Sequence, residues 1–89
     1  MLMMRIFQTE NPNWVFRSYD YAVEHGFDEE SYEEVWCEEV DDTETLNDIY
    51  ERFNLRHPEG YAARSLSMSD IVELGSERYY VDRLGFKRL

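Results

Sequence analysis

The chain has 89 residues, with 20 Asp or Glu against 9 Lys or Arg, for a formal net charge of −11. That length makes one domain, and that charge argues against direct binding to DNA, RNA or an anionic membrane, whose surfaces demand clustered cations. With 43% hydrophobic residues, including five Phe, two Trp and seven Tyr, it is too rich in core-forming side chains to be a disordered acidic tail.

Met3–Gln8 reads as a first strand, closed by the turn signal Asn11-Pro12-Asn13, after which Trp14, Val15 and Phe16 return large apolar surface to the core. A short helix of about two turns is expected from Ser18. Ser18 is a good N-cap, Tyr19, Ala22 and Val23 share a face, and Gly26 suits the stop. Ser31–Val40 is ambiguous, because Tyr32, Val35, Trp36 and Val40 fit helical spacing while Tyr32, Trp36 and Val40 also share one face of a strand. Its Val, Trp, Tyr and Cys content tips the reading to a strand.

A second helix is predicted over Thr43–Phe53, with Leu46, Ile49, Tyr50 and Phe53 forming a buried stripe, Thr45 and Asp48 a capping signal, and Asn54 the end. His57-Pro58-Glu59-Gly60 then opens a loop. Ser65-Leu-Ser-Met-Ser-Asp70 leads from it into a strand at Ile71–Leu74, turned by Gly75-Ser76 into a hairpin strand at Arg78–Asp82 and a last short strand within Leu84–Leu89. The order is β-α-β-α-β-β-β over a single domain, residues 1–89. It implies an α+β fold of two helices packed on a largely antiparallel sheet of about five strands.

Leu46-Asn-Asp-Ile-Tyr-Glu-Arg-Phe-Asn54, His57-Pro58-Glu59, Arg64-Ser-Leu-Ser-Met-Ser-Asp70 and Tyr79-Tyr-Val-Asp82 followed by Gly85-Phe86 closely resemble the YodL-like domain. The likeness extends over roughly Phe16 to the C-terminus. Ala63-Arg64 departs from the family's usual Gly followed by His or Arg, and Arg83-Leu84 from its frequent Ser-Phe. The resemblance implies a setting on bacterial conjugative and integrative elements. It implies no enzyme activity, since it brings no catalytic residues to carry over.

The most informative feature is charge segregation. Between Ser18 and Glu51 lie fourteen carboxylates and not one Lys or Arg, whereas residues 1–17 net +1 and residues 52–89 net +2. Such segregation costs self-repulsion and points to a basic partner, with solubility as the rival explanation. Helix N-terminal placement accounts for part of the clustering at Asp41, Asp42 and Glu44, and Asp48 can pair with Arg52 one turn on.

Other chemistry is weaker. Cys37 lies among Glu34, Glu38 and Glu39, whereas an active thiolate needs a positive field, so pairing with His25 or His57 for catalysis is not expected. Its being the one cysteine agrees with a reducing, cytoplasmic compartment. The runs Asp28-Glu29-Glu30, Glu38-Glu39 and Asp41-Asp42 lack the alternating ligands and central Gly of a calcium loop, so neither metal nor cofactor is expected. In Ser65–Asp70, Ser and Asp side chains should cap backbone N–H groups while Leu66 and Met68 point inward.

The reading is a non-enzymatic acidic binding protein using Glu38, Glu39, Asp41, Asp42, Glu44, Asp48 and Glu51 to occupy a basic protein surface. That surface could be the nucleic-acid channel of a host defence enzyme of restriction or CRISPR type, because a carboxylate stripe can imitate the charge of duplex DNA. The alternative is an accessory interaction module of a conjugative element without nucleic-acid mimicry. No direct nucleic acid or membrane contact is expected.

Overall fold

Period-two burial marks the first strand: in β1 (Leu2–Gln8) Met4, Ile6 and Gln8 are buried while Arg5 and Phe7, between them, are only half-buried. The computed structural model describes residues 1–89, adding α1 (Tyr19–Glu24), β2 (Glu33–Val40), α2 (Leu46–Leu55), β3 (Ile71–Leu74), β4 (Glu77–Asp82) and β5 (Gly85–Arg88). One turn of 3-10 helix, Glu29–Ser31, precedes β2. The five strands form one sheet in the order β2-β1-β3-β4-β5, every neighbouring pair antiparallel. The expected α+β architecture and its β-α-β-α-β-β-β order are therefore present.

The helices lie on opposite faces of the sheet. Ile49 and Phe53 of α2 are fully buried with Met4, Ile6, Val72 and Val81, while Ala22 of α1 packs with Trp14 and Tyr80. Tyr80 and Val81 are neighbours on one strand and so point to opposite sides. Around Tyr80, edge-to-face rings of Tyr19, Phe27, Trp14 and Tyr32 close the second core.

A register shift between Ile6 and Phe7 leaves Val35 without a partner, since Ile6 faces Trp36 and Phe7 faces Glu34. Val35 and Trp36 consequently both pack on the α2 core, although they are adjacent. That bulge is why a strand carries apolar spacing that also fits a helix.

Several side chains sit differently from expectation. Tyr50 is 36% exposed, because it reaches beyond β4 to the edge strand β5 and meets only Phe86 there, at 6.4 Å between ring centres. Leu46, in the first turn of α2, is half-buried. The helix begins at Leu46 rather than Thr43 because Thr45 is the N-cap, in a complete capping box with Asp48, while Asp41 holds Thr43 and Glu44 in a preceding turn. Asn54 does not end it; its amide donates to the Leu66 carbonyl at 2.6 Å, and the helix continues to Leu55. Phe16 is 52% exposed at φ +63°, and Val23 is equally exposed because α1 is short enough to bury only Ala22. Met68 is half-buried, since the turn at Ser69, with φ +88°, buries Ser69 and Asp70 instead.

Candidate functional site

β2, the turn after it and α2 carry the seven predicted carboxylates, in two groups. Glu38 projects from β2 toward α2 and accepts from Arg52 Nη2 at 2.5 Å, with Glu44 3.9 Å from the same nitrogen. Glu51 meets Arg56 at 3.2 Å. Glu44, Asp48 and Glu51 line a shallow open depression together with Arg52 and Arg56. Asp41, Asp42 and Glu39 gather near the amino terminus, where Asp42 lies 2.8 Å from the Met1 ammonium. The Asp42 hydrogen bond, then the surrounding carboxylates, raise the pKa of that ammonium.

Most of these charges have local partners. The expected Asp48–Arg52 pair is absent: Arg52 turns to Glu38 across the sheet face, and Asp48 instead accepts from the Thr45 N–H at 3.1 Å. Hydrogen bonds from Thr45 hold the Asp48 carboxyl below the usual carboxylate range, and those from the Thr43 backbone and hydroxyl do the same for Asp41. Both remain anionic at neutral pH. Glu39 alone of the seven makes no ion pair and no side-chain hydrogen bond.

A second polar centre is buried where the loop before β3 crosses the end of β1. Asp70, fully buried, accepts from Arg64 Nη1 at 2.7 Å, the Ser67 N–H at 2.9 Å and Gln8 Nε2 at 3.2 Å. Arg64 also donates to the Thr9 carbonyl at 3.0 Å, and the Tyr61 hydroxyl donates to the Arg64 carbonyl at 2.6 Å. Ser69 accepts from the Phe16 N–H at 2.9 Å, and its carbonyl accepts from the Tyr32 hydroxyl at 2.6 Å. This network ties the 56–70 loop to β1, with every oxygen of the Asp70 carboxylate engaged, and leaves no open cleft at the acid. It extends the capping expected of the Ser-rich segment. Arg64 was the part sequence spacing missed, as nothing in it marks a cation six residues before an aspartate as its partner.

The model of the YodL-like domain matches residues 3–89, nearly the whole chain. The chain belongs to the YodL-like domain family. No curated protein and no solved structure matches it. Within this YodL-like domain, the Arg64–Asp70 motif builds the buried network and Leu46–Asn54 supplies α2, so both motifs have direct structural work. No helix is long and apolar enough to cross a membrane.

Cys37 is exposed, and its thiol lies 3.2 Å from the Met3 sulfur. The sequence neighbours of Cys37 are acidic, but the fold sets Arg5 directly across from it on β1. That guanidinium is already committed to Glu34 at 2.7 Å and Glu73 at 3.2 Å. His25 stacks on Tyr21, its Nδ1 2.8 Å from the Tyr21 carbonyl, and His57 Nε2 lies 3.0 Å from Ser65 Oγ. Each histidine is thus occupied by a local contact. Cys37→Ser and His57→Ala are expected to leave partner binding and biological activity at wild-type level, with a melting temperature within a few degrees of it. Loss of activity with stability and binding intact would identify a reactive role for the substituted residue.

Proposed function

We propose that this YodL-like domain is a non-enzymatic binding protein that lays its acidic surface against a basic surface of a partner protein in the cytoplasm. The observation that carries the reading is the stretch from Ser18 to Glu51, with fourteen carboxylates and no Lys or Arg, nine of those carboxylates being carried by β2, its following turn and α2. Local pairing offsets part of that charge. The net of −11 is left for long-range attraction, which speeds encounter with a cationic surface.

Two forms of this function differ in what the carboxylates must do. A mimic that fills the nucleic-acid channel of a host restriction or CRISPR enzyme needs a stripe of carboxylates free to replace phosphates. Glu38, Glu44, Glu51 and Asp42 already have cationic partners, an arrangement that favours the other form, an accessory interaction module of a conjugative element with no mimicry.

The test is a variant carrying Glu39→Gln, Asp42→Asn, Glu44→Gln and Glu51→Gln, which spares the capping Asp41 and Asp48 and the Glu38–Arg52 pair. Pull-down from the natural host is expected to retain a partner at low salt with the wild type and to release it as salt rises. The variant should hold that partner more weakly while its melting temperature stays level or rises, because like-charge repulsion is relieved. Wild-type affinity of the variant at low salt would end the acidic-surface reading.

A further inference from the structure

β2 is an eight-residue strand at the edge of the sheet, with β1 on one side and nothing on the other. Outside the β1 ladder, no backbone hydrogen bond involves residues 33–40. An open strand edge is a template for another strand, because its outward N–H and C=O groups can be paired by an extended segment.

The side chains define what that segment must carry. Glu33-Glu34-Val35-Trp36-Cys37-Glu38-Glu39 reads the same in charge from either end: two carboxylates, three uncharged residues, two carboxylates. Register with β1 sets Glu33, Trp36 and Glu38 opposite Gln8, Ile6 and Met4 on the α2 side, and Glu34, Cys37 and Glu39 opposite Phe7, Arg5 and Met3 on the other. Each face of the edge therefore ends in a carboxylate at both extremities. Glu34 and Glu38 are already paired with Arg5 and Arg52, whereas Glu33 and Glu39, about 20 Å apart along the strand, carry no partner.

We propose that the free edge of β2 is a β-augmentation site for an extended, basic segment of a partner protein, with Lys or Arg at both ends of a short apolar centre. The proposal rests on the acidic-surface reading and states where that surface is engaged and by what. The charge palindrome lets such a segment dock in either direction with its cations over the carboxylates, and opposite charges across adjacent strands stabilise the pairing. Charge also argues against a second copy as the occupant. Two β2 edges would set Glu against Glu, and although β5 carries Lys87 and Arg88 at the opposite sheet edge, a second copy brings its own net charge of −11.

The probe is the capped heptapeptide Lys-Lys-Val-Thr-Val-Lys-Lys, titrated into the full chain at low salt while backbone amide shifts and hydrogen exchange are followed. Amides of residues 33–40 should shift and gain protection. Affinity should fall with salt, and Glu33→Lys with Glu39→Lys should weaken it about tenfold. The same peptide N-methylated at every residue keeps its charge but has no backbone N–H on either edge with which to pair along a strand, so it should not bind. Equal binding of the methylated peptide, or shifts confined to α2, would overturn the edge site while leaving the acidic-surface reading in place. No binding of the parent peptide would overturn the edge site as well, with the host pull-down still deciding the broader reading. Peptide-free, concentration-dependent protection of the same amides would identify a second copy as the occupant and contradict the proposal.

Discussion

Phe53→Ala is expected to destabilise the domain by about 3–5 kcal/mol, a large part of the roughly 5–15 kcal/mol available to a domain of ordinary stability. The ring is fully buried on α2 and meets Tyr61 and Trp36 edge-to-face at 5.1 and 6.0 Å, with the Arg52 guanidinium 5.0 Å over it. Truncation opens a cavity at the point where the helix, β2 and the 56–70 loop converge. It also removes the surface against which Arg52 reaches Glu38. Tyr50→Ala, one turn earlier, removes a ring that touches Phe86 at the rim, and about 1 kcal/mol is expected. Denaturant unfolding of both variants checks the account, which fails if Tyr50→Ala costs as much as Phe53→Ala.

Arg64→Met is expected to cost about 3–5 kcal/mol near pH 7.5 and clearly less near pH 5. Burial pushes the Asp70 carboxyl up to about 6, against the opposing pull of Arg64, the Ser67 N–H and Gln8. A carboxyl whose pKa is higher folded than unfolded binds its proton more tightly in the native state. The penalty for ionising it is therefore absent below about pH 4, grows as pH rises, and is complete above the folded value. Mutual repulsion among 20 carboxylates changes with pH in the same direction. Asp41 and Asp48, held below the usual range, act oppositely, and their contribution is lost only as pH falls below about 4. Wild-type stability should accordingly decline between about pH 4.5 and 7, and Asp70→Asn should flatten that decline. In Arg64→Met, Asp70 escapes its unpaired charge at low pH by taking a proton. An equal cost at pH 5 and 7.5 would mean that Asp70 is not the titrating partner of Arg64.

The element order was legible because local signals agree with the fold. Thr45 and Asp48 form the complete capping box, Ser18 caps α1 through the Tyr21 N–H, and Gly75 takes the positive φ that the β3–β4 turn requires. Strand order was not legible, since nothing local places β1 between β2 and β3, nor α1 and α2 on opposite faces. The bulge at Val35 explains why Ser31–Val40 showed two periods at once. At the candidate site, all seven carboxylates do fall on β2, its turn and α2, but their partners could not be read from spacing. Glu38 and Arg52 are fourteen residues apart and meet only because β2 and α2 stack; the one pair that spacing offered, Asp48 with Arg52, gave way to it. Asp70 looked like an ordinary turn residue for the same reason. Its burial depends on Gln8 and Arg64 arriving from two other segments.

The central claim, that the acidic surface exists to engage a basic partner, is tested most directly by the association rate constant with the captured host partner as a function of ionic strength. For the wild type it should fall steeply as salt rises from a few tens of millimolar to physiological strength, and the quadruple Glu39, Asp42, Glu44 and Glu51 variant should start slower and show a shallower slope. Equal rates and slopes for the two proteins would contradict the account and leave the carboxylates of β2 and α2 as a solvated, locally paired surface.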